Sequence, residues 1–137
     1  MSVAAKHPGA LKLEAAFQEF LATGVLPVEG YFAPEYQQWA DGEWLNYDGF
    51  VQHVQALAKR VQQGYSFDTF TIHEVVGEGE RFVTRHSLTG TNAEGTPFTL
   101  LVLALFEMRE DRFVRCWELS HMQGRDTADQ SLASIRA

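Results

Sequence analysis

Apolar residues recur at Leu13, Phe17, Phe20 and Leu21, one face of a 3.6-residue period, and predict a first helix ending near Thr23. Gly24 suits the left-handed position just past a helix end, and Pro27 cannot continue a helix. Phe50, Val54, Leu57 and Val61 predict a second amphipathic helix, opened by Asn46 or Asp48 as a cap and closed by Gly64. His53 sits off that stripe and is expected to face solvent. Between the helices, the stretch 31–44 carries Tyr31, Phe32, Tyr36, Trp39 and Trp44 around Pro34, Asp41 and Gly42. It reads as an irregular segment whose rings line a core edge or a ligand pocket.

After Gly64 the pattern changes. Four runs, about 66–76, 81–91, 98–109 and 112–121, are rich in Val, Thr, Phe and Leu and predict strands. The connections Gly77-Glu78-Gly79-Glu80, Asn92-Ala93-Glu94-Gly95 and Glu110-Asp111 are short and turn-prone, so successive strands should pair as antiparallel hairpins. Strands this long twist and bend, which predicts a strongly curved antiparallel sheet with a concave face packed on the N-terminal helices. The fold class is therefore α+β, one domain over 1–137 with a core at about 11–122, and the concave face should form an apolar pocket. The third run is apolar at nearly every position, so both faces are expected to be covered: one by the helices, the other by a second copy in a homodimer through the sheet. The segments 1–9 and 125–137 lack a core pattern and are expected to be mobile or to lie across a neighbour.

Composition narrows the partners. A net charge of −7 with acidic residues spread along the chain leaves no basic stripe for phosphates, so nucleic acid is not an expected partner. The longest apolar run, 100–106, is too short to cross a bilayer as a helix, and no basic-then-apolar leader opens the sequence. A soluble, cytoplasmic protein is expected. The one cysteine, Cys116, excludes an intramolecular disulfide and reads as a small core residue. Five histidines without metal-ligand spacing predict no metal site, and no cofactor is expected.

The order of helices, aromatic segment and long-stranded meander resembles the nuclear transport factor 2-like superfamily. Phe32-Ala33-Pro34-Glu35-Tyr36-Gln37-Gln38, Asp48-Gly49-Phe50, Arg85, Leu88-Thr89-Gly90-Thr91 with Gly95, and Phe106, Arg112-Phe113-Val114 and Trp117-Glu118 resemble its SnoaL-like branch. The resemblance implies a cone-shaped fold, a bent sheet wrapped on helices, with a deep cone-shaped pocket opening at one end. It leaves function open, since relatives include polyketide cyclases, ketosteroid isomerases, epoxide hydrolases, dehydratases and proteins without catalysis. Trp39 stands where many members of the branch carry a histidine, an apparent loss of a polar pocket group that counts against a cyclase.

Alternation on the last strand puts Phe113, Arg115, Trp117, Leu119 and His121 on one face and Val114, Cys116, Glu118, Ser120 and Met122 on the other. If the first face is inward, His121 and Arg115 enter the pocket; if the second, Glu118 and Cys116 do. Glu118 stands at the position of the branch's strand acid, and aromatic walls would raise its pKa toward the range useful for proton transfer; the plain alternative is a surface or salt-bridged Glu. Arg85 and His86 point to opposite faces, so one can enter the pocket: His86 as base or donor, Arg85 to hold an oxyanion or pair with a carboxylate, with a structural role as the plain alternative for either. Glu107 is read as a rim charge. Candidate catalytic residues are thus Glu118, His86 and His121; candidate ligand-binding residues are Tyr36, Trp39, Trp44, Phe50, Arg85, Leu103 and Trp117.

Two functions fit. One is a cofactor-free isomerase, cyclase or dehydratase removing a proton next to the carbonyl of a small hydrophobic ligand such as a polycyclic, aromatic or terpenoid compound. Ketosteroid isomerase works by this logic, with a carboxylate base set beside a neutral hydrogen-bond donor. The other is a non-catalytic binding or dimeric assembly module of the same fold.

Overall fold

The structure, a computed structural model, describes residues 3–123. A 3-10 turn (Val3–Lys6) leads into helix α1 (Pro8–Thr23); strands β1 (Phe32–Ala40) and β2 (Glu43–Leu45) precede helix α2 (Tyr47–Gln62); four long strands follow, β3 (Ser66–Glu78), β4 (Arg81–Thr91), β5 (Pro97–Arg109) and β6 (Arg112–Met122). The strands form one unclosed sheet in the order β2-β1-β6-β5-β4-β3. The expected β3-to-β6 meander is there. The wholly antiparallel sheet is corrected, because β1 pairs parallel with β6 and makes the sheet mixed. The stretch 31–44, read as irregular, supplies that strand.

Local chemistry explains both ends of α1 and the start of α2. His7 caps α1 by accepting the Gly9 N–H on Nδ1 at 3.0 Å, with Pro8 in the first turn where a missing donor costs nothing. Gly24 ends the helix at φ 80°, donating its N–H to the Phe20 carbonyl. The Asn46 side chain caps α2 by accepting from Gly49 N–H. The expectation of a patternless segment 1–9 is corrected: Ala4, His7 and Gly9 are buried, and His7 also bonds the Gly79 carbonyl at 2.9 Å and stacks on Phe82. The segment 125–137 lies outside the described residues.

Curvature has identifiable sources. Register shifts lie between Phe67 and Thr69, between Ile72 and Glu74, and between Glu107 and Met108, and each bulge bends its strand. At Gly90 the β3 backbone comes so close that a Cβ would lie 1.9 Å from the Ser66 carbonyl oxygen, so only glycine fits. The helices pack on the concave face, α1 against β3 and β4, α2 against β1 and β2. Phe20, Phe82, Phe113 and Leu13 are almost wholly buried there, each contributing roughly 1.5–3 kcal/mol by burial.

A cone cavity with five polar groups

Side-chain alternation decides which residues enter the cone. On β1, Tyr36, Gln38 and Ala40 point inward and Gln37 and Trp39 outward; on β4, Phe82, Thr84, His86 and Leu88 point inward; on β5 the even-numbered residues 98–108 do. They close, with α1 and α2, around an apolar cavity of about 80 Å³. Tyr36 and Phe50 form part of its wall, beside Phe17, Phe70 and Phe106. Its other polar side chains are Gln38, His53, His86 and Glu118.

Glu118 enters because β6 presents its Cys116 face inward, which resolves the alternative left by the sequence. Its partners across the sheet are Ala40 on β1 and Ala104 on β5, with Thr84 beyond. Small neighbours on both sides leave a notch for the carboxyl. One Glu118 oxygen lies 3.9 Å from the buried Cys116 Sγ. The residue borders both the cavity and the outer surface. Desolvation, reinforced by the negative charge of Asp41, pushes its pKa up to about 8. The same desolvation raises the Tyr36 hydroxyl and the Cys116 thiol well above their usual values. Tyr36 OH donates to Gln38 Oε1 at 2.8 Å, so this corner of the cavity is a connected neutral network.

His86 lies on the far side, against Phe70 and Phe17. Burial, aided by His73, drops its pKa to about 3, so the ring is neutral. Its Nδ1 is 2.8 Å from Thr84 Oγ1. His86 and Glu118 stand on strands separated by β5 and one inward position apart in register. They both face the cavity, and a molecule between them can touch both.

Several expectations about the cavity are corrected. His121 and Arg115 are exposed on the convex face, where Arg115 covers Trp117 at 5.6 Å. Phe113 departs from their face: the extra residue Val114, bulged opposite Met108 and Glu107, breaks the alternation and turns Phe113 into the core. Arg85 points outward and pairs with Glu74 at 3.0 Å. Trp39, Trp44, Leu103 and Trp117 line a separate open hollow of about 490 Å³ on the convex face, with Leu105 and Leu119. Trp44 is 54% exposed, Leu103 53% and Leu119 56%, so this is a broad uncovered apolar surface. Trp39 therefore removes no polar group from the cone and does not count against a cyclase. Glu107 is an outer-face residue near Arg81.

Two cavity residues were missed. His53 is buried, not solvent-facing; with Phe50, Val54 and Leu57 it forms an i, i+3, i+4, i+7 set, which is a signal the sequence carried. Gln38 would have followed from Tyr36 by strand alternation. No cluster of three or more potential metal ligands occurs among the described residues, and no helix among them is long and apolar enough to cross a membrane.

The family model for the SnoaL-like domain matches residues 13–116. An uncharacterized protein of Schizosaccharomyces pombe, C11D3.04c, is 26% identical over 121 residues, 88% of this chain and 89% of that one. Among solved structures, wild-type IdmH from Streptomyces antibioticus, a proposed polyketide cyclase, superposes with a TM-score of 0.63 at 19% identity, covering 93% of this chain and 98% of that one. An epoxide hydrolase of M. tuberculosis, described as LEH-like, gives 0.57 at 15% identity over 88% and 86%. An NTF2-like protein from Anabaena variabilis gives 0.65 at 14% identity over 83% and 90%. Likenesses at these identities establish the fold and leave the chemistry to this chain's own residues.

Proposed function

The chain belongs to the SnoaL-like domain family, and from that premise we propose that it is a cofactor-free isomerase, cyclase or dehydratase that moves a proton on a small hydrophobic carbonyl compound held in the cone. The observation that carries this reading is Glu118, a carboxyl whose pKa stands at about 8 in a cavity walled mainly by apolar and aromatic side chains. Near pH 7 most of it is protonated and can act as an acid. The ionised fraction is a stronger base than a solvated carboxylate, and the aromatic wall limits the room for competing water. In the base direction the carboxylate takes a proton from the carbon next to the carbonyl, the electron pair passes to the oxygen, and the acid so formed returns the proton at another position. A cytoplasmic setting belongs to this reading.

The test is hydrogen exchange on ketones of stated structure, acetophenone and 2-tetralone, in D2O. Wild type should place deuterium next to the carbonyl faster than buffer alone, with Glu118→Gln at the buffer rate. Exchange by wild type no faster than buffer on a ketone that binds, or undiminished in Glu118→Gln, would overturn the enzyme reading in favour of a binding module.

The convex face favours a second element, assembly. Trp39, Trp44, Leu103, Trp117 and Leu119 form an apolar centre, and Arg85, Glu74 and Arg115 put both signs of charge at its edge. A patch of this kind, apolar at its centre and polar at its rim, can meet its own copy about a two-fold axis. The proposed occupant is a second copy of this chain, as a homodimer through the sheet.

A further inference from the structure

We propose that His86, locked by Thr84 as the tautomer bearing its proton on Nε2, donates a hydrogen bond to an acceptor oxygen of the cavity's ligand. Thr84 is where the tautomer is set. Its side chain has no exposure, and its hydroxyl makes one hydrogen bond among the described residues, to His86 Nδ1 at 2.8 Å. A buried hydroxyl proton must be donated somewhere. Among the described residues the acceptor on offer is Nδ1, so Nδ1 carries a lone pair and the proton of the neutral ring sits on Nε2.

Nε2 then has a direction to point. His86 is 6% exposed, and Nε2 has no partner among the described residues. Among those residues no side-chain nitrogen or oxygen shut away from solvent lacks a partner, so Nε2 is open to the space the ring lines, the cone cavity. It is an unpartnered donor on a ring more than nine-tenths buried, aimed into an apolar chamber.

Gln38 repeats the pattern on the opposite wall. Its Oε1 is occupied by the Tyr36 hydroxyl, and its amide NH2, without a partner among the described residues, opens on the same cavity. Both groups are donors held in place by a buried hydroxyl. Two fixed donors in this chamber suit a neutral, apolar molecule with acceptor oxygens, a ketone or quinone. The inference deepens the proposed function by naming the group that holds the carbonyl. It places Thr84 as a positioning residue, since it acts through His86.

The test uses the 15N-labelled full chain. Long-range 1H–15N correlation, with the His86 signals assigned by their loss in His86→Phe, should show a pyrrole-type Nε2 and a pyridine-type Nδ1 at pH 7. Thr84→Val should mix the tautomers, and Thr84→Ser should restore the single form, a rescue that a purely structural role does not require. Acetophenone should shift the Nε2 resonance and bind roughly fivefold more tightly than its carbon isostere α-methylstyrene, the ratio given by a net hydrogen bond of about 1 kcal/mol. His86→Phe should erase that preference. A proton on Nδ1, an imidazolium at pH 7, equal affinity for the two probes, or no affinity for the ketone overturns the proposal. The deuterium exchange that tests Glu118 reads separately from all of these, so either idea can fail alone.

Discussion

The backbone N–H of Asp41 donates to the Glu118 carbonyl at 3.1 Å, tying an exposed acid on the rim to the strand residue whose side chain enters the cavity. Asp41 holds this place at φ 49°, accepting Ser120 N–H at 2.8 Å and the Ser120 hydroxyl on its carboxylate. One short turn therefore fixes both the end of β1 and a negative charge near Glu118.

Removing that charge should lower the pKa of Glu118. Asp41→Asn keeps an acceptor for Ser120, so the turn should survive while the repulsion disappears. The drop should be less than about one unit, because Asp41 faces water and its field is screened, with desolvation remaining the larger cause. The 13C resonance of the Glu118 carboxyl against pH measures it. An unmoved or raised midpoint would refute the assignment.

Glu118 should also cost stability as pH rises. Its folded value of about 8 lies above the ordinary 4.5 that the unfolded chain approaches. Between these values the unfolded chain has released a proton that the folded chain still holds, so wild-type stability falls from about pH 4.5 to about pH 8 and then levels off. The full shift corresponds to about 5 kcal/mol, which partial exposure reduces to roughly 2–3 kcal/mol. Glu118→Gln does not titrate, so its urea midpoint should gain on wild type between pH 5 and pH 8.5. A constant difference across that range would mean that Glu118 titrates alike in the folded and unfolded chain.

His7 is expected to matter more than its place near the chain start suggests. It caps α1, bonds the β3–β4 turn at Gly79 and stacks on Phe82, so three elements meet on one ring. His7→Ala should lose about 2 kcal/mol by thermal or urea unfolding, and His7→Asn should recover part of it by restoring the cap. Equal stability of the alanine variant and wild type would refute this role.

What the sequence carried depended on the range of the interaction. The four long strands and both helices were legible because their signals are local: apolar periods, turn residues such as Glu110-Asp111, and caps such as Asn46 and Gly24. β1 was not legible, since Pro34 and Gly42 look like punctuation and its pairing with β6 joins residues about eighty positions apart. Missing that strand hid the alternation that sends Tyr36 and Gln38 inward and Trp39 outward. The bulge at Val114 was equally hidden, because an extra residue becomes visible only against its partner strand. Glu118 and His86 were both among the candidates. The choice of the Glu118 face over the His121 face needed the sheet's curvature, and the Thr84 to His86 bond needed coordinates.

The convex face offers the last prediction. Leu103 lies near the middle of β5 with its side chain outward and 53% exposed, beside Leu105 and Trp117 in the apolar hollow. Replacing it with glutamate removes no inward packing, so the monomer's own stability should change by no more than about 0.5 kcal/mol. In a dimer built on this face, two-fold symmetry brings the patch against itself, and a charge on each copy would be desolvated near its like. Light scattering across a concentration series should therefore give a dimer mass for wild type and a monomer mass for Leu103→Glu, with circular dichroism spectra that coincide. A monomeric wild type sinks the assembly proposal outright. A dimeric Leu103→Glu sinks its placement on this face, since the hollow around Leu103 and Trp117 could not then be the contact.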